Sequence, residues 1–302
     1  GRRASHASPD RPVTAPELAA TQLRSPGRSA GLVEVLRWRF LLKLLVNKEL
    51  RVRYRGSVLG MVWSYVKPAV QLCVYWLAMG HFIGVGREIP NYVIYLFSGM
   101  VMINFFNEIV INATRSIIFN APLVGKIYMP RELFPVSSLW VALVHLVPQL
   151  VVLLIGCLLL GWRPGPANIA ALLAAIGLVA TFGLGVGLVF ATFNVFYRDA
   201  ENLIELFNMV AIWLSPVFYT WAMVERVLPD GPFLVYQWNP LTAAVELAHQ
   251  GFWLPTRAAA QASAVPEDWL PSILGAGLLA GLLVLLGQLV FRRWQGHFGE
   301  EI

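Results

Sequence analysis

Apolar positions in this chain come in long continuous runs, without the alternation of a half-buried strand. Six stretches lack Asp, Glu, Lys and Arg: 68–86, 89–107, 133–162, 164–197, 206–224 and 269–291. A hydrocarbon core of about 30 Å takes about 20 apolar residues in a helix. Continuous runs suit helices better than the alternating strands of a membrane barrel. The pattern predicts six transmembrane helices, over 60–84, 91–113, 135–161, 168–194, 203–222 and 271–291. The expected fold is an all-α polytopic membrane protein, its transmembrane domain covering 57–295.

The connecting segments follow their own punctuation. Leu32–Arg55 lacks Pro and Gly and is too charged to span, with seven Lys or Arg among Leu, Val, Trp and Phe. It reads as an amphipathic helix in the interface, bounded at 31–56 and held by apolar burial and anionic lipid. Residues 1–30, rich in Arg, Pro, Ser and Ala with no apolar core, read as a disordered cytoplasmic tail and not a signal peptide. Asn120 and Pro122 bracket a short helix in the loop after span two, and Pro130 ends it. Asp199 is expected to N-cap span five, with Glu201 in its first turn. Pro216 should kink that span. Beyond it, the outer segment 223–254 is cut by Pro229, Pro232 and Pro240 into pieces too short to cross, which fits short re-entrant or interfacial helices. Residues 296–302 form a cytoplasmic C-terminus.

Composition removes the soluble alternatives. Of 302 residues, 57% are hydrophobic and 13% charged, with a mean hydropathy of +0.63; soluble domains carry about 25% charged residues. The net charge of +6 is unevenly placed. Residues 1–57 hold 12 Lys/Arg against 4 Asp/Glu, and the remainder has more acids than bases. With six spans, an inside N-terminus puts 18 of the 23 cations on inner segments, as the positive-inside rule requires. Both termini are then cytoplasmic. Cys73 and Cys157 fall inside spans and read as packing residues.

Catalytic motifs are missing. The sequence has no G-x-x-x-x-G-K-[ST], H-E-x-x-H, C-x-x-C or Asp-x-Asp, so it offers no P-loop, no metal site and no nucleotide-sugar site. The adjacent Glu267 and Asp268 read as a solvated face. No enzyme activity, cofactor or nucleic-acid partner is expected of this chain. Intramembrane ionisable groups are functional candidates by default. Lys67 and Glu108 lie at similar depths in antiparallel spans; either they pair, or Lys67 snorkels, or it faces a cavity and receives a phosphate. His145 and His81 read as hydrogen-bonded packing residues. Glu246 and His249 either line an exit or are solvated. Gly183-x-x-x-Gly187 and Gly277-x-x-x-Gly281 permit close helix approach, within the chain or between copies.

Nine aromatics crowd Trp213–Trp253, 22% of that stretch against 12% of the chain. They form either an interfacial belt or a conduit whose rings pack on sugar C–H faces. The conduit reading takes in Trp63, Tyr65, Tyr75, Trp213, Phe218, Tyr219, Tyr236 and Trp238.

Four ordered motifs narrow the choice. Arg53-Tyr54-Arg55-Gly56-Ser57-Val58-Leu59-Gly60-Met61-Val62-Trp63, followed by Lys67-Pro68, resembles the opening signature of ABC-2-type polysaccharide export permeases. Lys126-Ile127-Tyr128-Met129-Pro130-Arg131-Glu132-Leu133-Phe134-Pro135 resembles the inner loop of that family between spans two and three. Phe196-Tyr197-Arg198-Asp199, with Ser215-Pro216-Val217-Phe218-Tyr219, resembles its passage from span four to five. Asn239-Pro240-Leu241-Thr242 resembles the motif before its last span. The resemblance covers about residues 32–295.

The resemblance implies a homodimer with two copies of a separate ABC ATPase, which would bind ATP and Mg and supply the missing P-loop. The cargo implied is a polyprenyl pyrophosphate-linked glycan of the O-antigen, capsule, teichoic-acid or galactan kind, moved outward. Arg53, Tyr54, Arg55 and Lys67 would form the cytoplasmic gate that loads the lipid pyrophosphate. Lys126, Ile127, Tyr128, Pro130, Arg131 and Glu132 would belong to the helix coupled to the ATPase, with Arg198 and Asp199 a second inner contact. The aromatic outer segment would form gate helices at the exit. Two rivals share parts of this pattern: an ABC-2 permease for drugs or another lipid, and a membrane-embedded glycosyltransferase, against which the missing acidic motif speaks.

Overall fold

A computed structural model describes residues 31–87, 89–124, 129–257 and 269–301. Among the described residues every regular element is helical. The tail 1–30 and the Glu267–Asp268 pair lie outside them.

Four helices are long and apolar enough to cross a membrane: Tyr92–Phe119 (α4), Leu133–Leu159 (α6), Pro166–Phe196 (α7) and Leu270–His297. The last consists of α12 (Trp269–Trp294) and a 3₁₀ turn. They correspond to predicted spans two, three, four and six. The largest boundary difference is in α4, which runs six residues past the expected end at 113, through Arg115 to Phe119. Arg115 is tolerated there because its guanidinium is neutralised by Glu201 (2.8 Å) and Glu205 (2.9 Å).

The other two predicted spans are less regular. Predicted span one opens with a 3₁₀ turn at Gly60–Val62, continues as α3 (Trp63–Tyr75) and widens into a π-helical stretch, Trp76–Phe82. Predicted span five, expected over 203–222, is α-helical only as α8 (Ala200–Ala211). Pro216 does more than kink it. Ser215 Oγ donates back to the Ala211 carbonyl (3.0 Å), Val217 N–H turns back to Ser215 O (2.7 Å), and the chain leaves the helix. Unwound backbone is costly at membrane depth unless protein satisfies it. Here α4 does so. Tyr95 Oη donates to the carbonyls of Pro216 (3.0 Å) and Tyr219 (2.8 Å), and Tyr92 Oη to that of Phe218 (3.2 Å). Asp199 holds the N-cap position of α8, but its side chain makes no capping bond; Glu201 lies in the first turn as expected and pairs with Arg115.

Short helices complete the molecule. α1 (Leu32–Val35) and α2 (Arg39–Tyr54) correspond to the predicted interface helix, interrupted by a 3₁₀ turn at Leu36–Trp38. α5 (Ala121–Val124) follows α4. The segment after α8 holds α9 (Trp221–Glu225), α10 (Asp230–Trp238) and α11 (Pro240–Ala248), which passes into a π-helical turn, His249–Trp253. α13 (Phe298–Glu301) ends the described chain. Asn239 caps α11 through its side chain, accepting from Leu241 N–H (3.1 Å), with Pro240 in the first turn, as N-terminal capping chemistry requires.

Two apolar clusters hold the fold. The larger one surrounds α4, whose residues from Tyr95 to Ile109 are almost wholly buried by α6, α7, α8 and α11. The smaller one gathers Val35 and Leu45 from the N-terminal helices, Val124, Met129, Leu133 and Phe134 from the loop between α4 and α6, and Phe291 and Phe298 from the C-terminal part. Both ends of the described chain therefore lie at one end of the bundle. Helix approach within lipid gains from small residues and close packing. Gly183 faces Ile109, and Gly187 faces Ala113 across α4 and α7, so that motif serves contact within the chain. Gly277 and Gly281 face open space. The closest backbone approach lies elsewhere: a Cβ on Gly185 would sit 2.8 Å from Val284 N, and one on Gly287 2.7 Å from Gly185 O.

Candidate functional site

A polar cavity of about 260 Å³ opens where α2 meets α3, α4 and α6, and its lining includes Arg53, Tyr54, Lys67, Glu108 and His145. The last turns of α2 supply Arg53 and Tyr54, α4 supplies Glu108, and α6 supplies His145. Arg53 Nη1 donates to Glu108 Oε1 (2.5 Å). His145 Nδ1 lies 2.5 Å from the same oxygen, and Nε2 lies 2.8 Å from Tyr54 Oη. A carboxylate only accepts, so Nδ1 carries the proton toward Glu108. Tyr54 Oη also lies 2.7 Å from Ser64 Oγ. Asn112 Nδ2 adds a longer donor to Glu108 (3.4 Å).

This arrangement answers the question of the two intramembrane charges. Glu108 pairs with Arg53 and His145, not with Lys67. Lys67 is exposed, lines the same cavity and makes no ion pair among the described residues. Helical depth alone had brought Lys67 and Glu108 level; the partner came from α2, 55 positions away, which spacing within the spans does not reveal. His145 is, as read, a hydrogen-bonded interior residue.

A second cavity, about 520 Å³, lies beside the first, lined by Lys48, Glu49, Arg53, Asn112, Ser116 and Asn120 among others. Lys48 Nζ donates to Asn120 Oδ1 (2.6 Å), and Ser137 Oγ to Glu49 Oε1 (3.1 Å). Burial pushes the Glu49 carboxyl above the ordinary range, and the Ser137 bond and nearby Lys48 and Arg53 only partly offset this. Arg55 lines a third, more open hollow of about 550 Å³ with Lys48 and Arg51. Arg53 thus borders the first two cavities, whereas Arg55 borders neither of them.

The inner loop is visible in part. Lys126, Ile127 and Tyr128 lie outside the described residues. Pro130 is buried, and the Arg131 guanidinium stands over the Phe298 ring (5.7 Å to the centroid). Burial lowers the pKa of Arg131, and Glu132 opposes the shift. Glu132 is fully buried and accepts from Gln288 Nε2 of α12 (3.2 Å). It anchors the loop and does not face outward. Arg198 and Asp199 are exposed.

The aromatics separate into groups. Phe218 meets Tyr75 (5.0 Å) and Trp213 (4.8 Å), and Tyr219 Oη donates to Trp213 O (2.6 Å). Tyr236 joins Trp221 (5.8 Å) and Phe233. Trp238 lies against Gly275, where a Cβ would come within 2.9 Å of its ring. Trp63 and Tyr65 are exposed on α3, far along the chain from these groups, and Trp63 lines the Arg53 cavity. Glu246 and His249 are not solvated: His249 is 1% exposed, stacks on Tyr95 (3.8 Å) and lies 3.1 Å from Tyr95 O through Nε2. Cys157 is buried in the core, whereas Cys73 is exposed and packs nothing closed. Among the described residues no cluster of three or more His, Cys, Asp or Glu is placed to hold a metal.

Four helices long and apolar enough to cross a membrane, packed beside a polar cavity, fit a membrane-embedded protein. The chain belongs to the ABC-2 type transporter family, whose profile matches residues 41–253. It is 30% identical, over 206 residues, to an O-antigen export system permease protein RfbA of Klebsiella pneumoniae, covering 68% of this chain and 77% of that protein. It is 28% identical to the protein of the same name from Myxococcus xanthus, over 64% and 73% of the two chains. A capsule polysaccharide export inner-membrane protein, CtrC of Neisseria meningitidis, is 25% identical over 58% and 66%.

Proposed function

We propose that this chain is the transmembrane subunit of an ATP-driven exporter that moves a lipid-linked polysaccharide from the cytoplasmic to the outer side of a bacterial cytoplasmic membrane. The observation that carries the reading is the similarity, over most of their length, to permeases named for O-antigen and capsule export. The chain works as a homodimer with two copies of a separate ATPase, which binds ATP and Mg. Six crossings with both termini cytoplasmic fit the even pairing of helices and the chain ends gathered at one end of the bundle.

The mechanism follows from the physics of the cargo. Hydrated sugars do not cross hydrocarbon, so the polymer needs a protein-lined path. Its pyrophosphate is anionic, and Arg presents donors in a fork that matches phosphate oxygens. Arg53 and Lys67, which line one cavity, supply that recognition, with Tyr54 orienting the site and Arg55 a more peripheral charge. The aromatic groups around Phe218 and Tyr236 line the outer exit. The loop ending at Pro130–Glu132 meets the ATPase together with Arg198 and Asp199; the buried Glu132 holds it against α12, so that ATP-driven displacement reaches the transmembrane helices.

Depletion of the protein should leave one lipid-linked polymer on the cytoplasmic side, detected by extraction of lipid-linked glycans and by loss of the surface polymer. Normal surface glycan with impaired drug or lipid extrusion would favour the other kind of permease.

A further inference from the structure

The ionic network in the Arg53 cavity is asymmetric. Arg53 has a single carboxylate partner among the described residues, Glu108. Glu108 has three donors: Arg53, His145 and Asn112. Arg53 Nη1 also lies 3.2 Å from His145 Nδ1, so losing Glu108 removes the carboxylate partner of Arg53 and leaves it a neighbouring imidazole. Losing Arg53 leaves Glu108 still held by an imidazole N–H and an amide. Exposure runs the same way, with the side chains of Arg53, Glu108 and His145 45%, 16% and 3% exposed. The cation faces the cavity, and the acid and its histidine stand behind it. Tyr54 and Ser64 keep Nε2 of His145 engaged, which directs Nδ1–H at the carboxylate.

We propose that Glu108 is a built-in counter-anion for Arg53, exchanged for a phosphate group of the cargo, with His145 and Asn112 retaining the carboxylate once Arg53 turns away. The proposal rests on the reading that an anionic headgroup binds in this cavity. The shared chemistry is a diphosphate, borne by a lipid or free. An internal anion has two consequences. Stray single charges must compete with a short carboxylate pair before they occupy Arg53. A diphosphate that meets both Arg53 and Lys67, which line the same cavity, gains a second cation that Glu108 does not pair, and this makes the exchange selective for a ligand that reaches both cations. Glu108 is a positioning residue here and does not touch the cargo.

The test uses the full chain in zwitterionic nanodiscs, with binding read from the fluorescence of the chain, to which the cavity-lining Trp63 contributes. The probes are a short polyprenyl pyrophosphate, the same polyprenol without phosphate, and inorganic pyrophosphate. Glu108→Gln keeps the shape and removes the competing charge, so polyprenyl pyrophosphate binding should tighten about three- to tenfold, an exchange worth one ion pair. Arg53→Gln should weaken binding, and adding Glu108→Gln to it should restore nothing, since the two act through one contact. Should Glu108→Gln prove unstable in the membrane, Glu108→Asp, whose shorter arm loosens the pair, should tighten binding in the same direction. Unchanged or weaker binding in the Glu108 variants, with Arg53→Gln still weakened, overturns the counter-anion role and leaves the cavity reading standing. No effect from Arg53→Gln or Lys67→Gln overturns both. Equal affinity for inorganic pyrophosphate identifies the phosphate alone as the exchanging group; binding of only the lipid-borne form adds the prenyl chain to the site.

Discussion

Single side chains explain why the Arg53 cavity is held in one arrangement. Tyr54 bonds to His145 and Ser64 at once, so Tyr54→Phe removes two hydrogen bonds and should cost about 1–2 kcal/mol of stability, read as a lower melting temperature of the nanodisc-embedded chain. Glu49 gives a pH-dependent prediction. Its folded pKa is raised by burial, so the native state binds its proton more readily than the unfolded chain. Stability from this group therefore falls as pH rises from the ordinary carboxyl range through the raised value. Glu49→Gln should narrow the melting-temperature difference between acidic and neutral pH; an unchanged difference would remove Glu49 as its source. At this scale the sequence is a partial guide. It identifies Arg53, Lys67, Glu108 and His145 as polar residues in apolar surroundings. Which of them meet is decided by the angle at which α2 lies on α4 and α6, and no local pattern encodes that angle.

Helices show the limits of motif reading from another side. Of two G-x-x-x-G patterns, Gly183/Gly187 closes on α4, while Gly277/Gly281 meets nothing within 4 Å. The tightest crossing instead uses Gly185 and Gly287, which form no such pair in sequence. Gly185→Ala would drive a Cβ into the backbone of α12, and overpacking of this kind typically costs about 1–3 kcal/mol; Gly277→Ala should be tolerated. Thermal unfolding of the two variants side by side separates them. The long helices α4, α6, α7 and α12 were legible because about 20 apolar residues have few other solutions. Predicted span five was misjudged because an uncharged run says nothing about backbone hydrogen bonds. Ser215 and Pro216 end the helix, and the rescue by Tyr92 and Tyr95 hydroxyls comes from a distant part of the chain.

For the molecule as a whole, the two apolar clusters divide labour between a membrane-depth core around α4 and a smaller core that ties the loop before α6 to both chain ends. Charge reversal at Arg131 should impair export while leaving membrane insertion intact, checked by surface glycan and by the protein level in the membrane fraction. Crossing number is open to direct measurement. Single cysteines at Arg163 and Arg226 should react with an impermeant maleimide from outside intact cells, and one at Arg198 only after permeabilisation; any other pattern revises the six-span count. The family was legible in ordered motifs, whereas the shared inner core was not, because its members come from four separate stretches, 35–45, 117–136, 188–195 and 291–298.

That shared core also dictates an order of manufacture. Val35 and Leu45 leave the ribosome before Leu133 and Phe134, and Phe291 and Phe298 follow later still. The small core cannot shut until its latest members arrive, so the loop and the helix bearing Arg53 stay unsecured until then. A chain halted before Phe298 would carry every long apolar helix and still present Val35, Leu133 and Phe134 unburied, a ready mark for quality-control proteases.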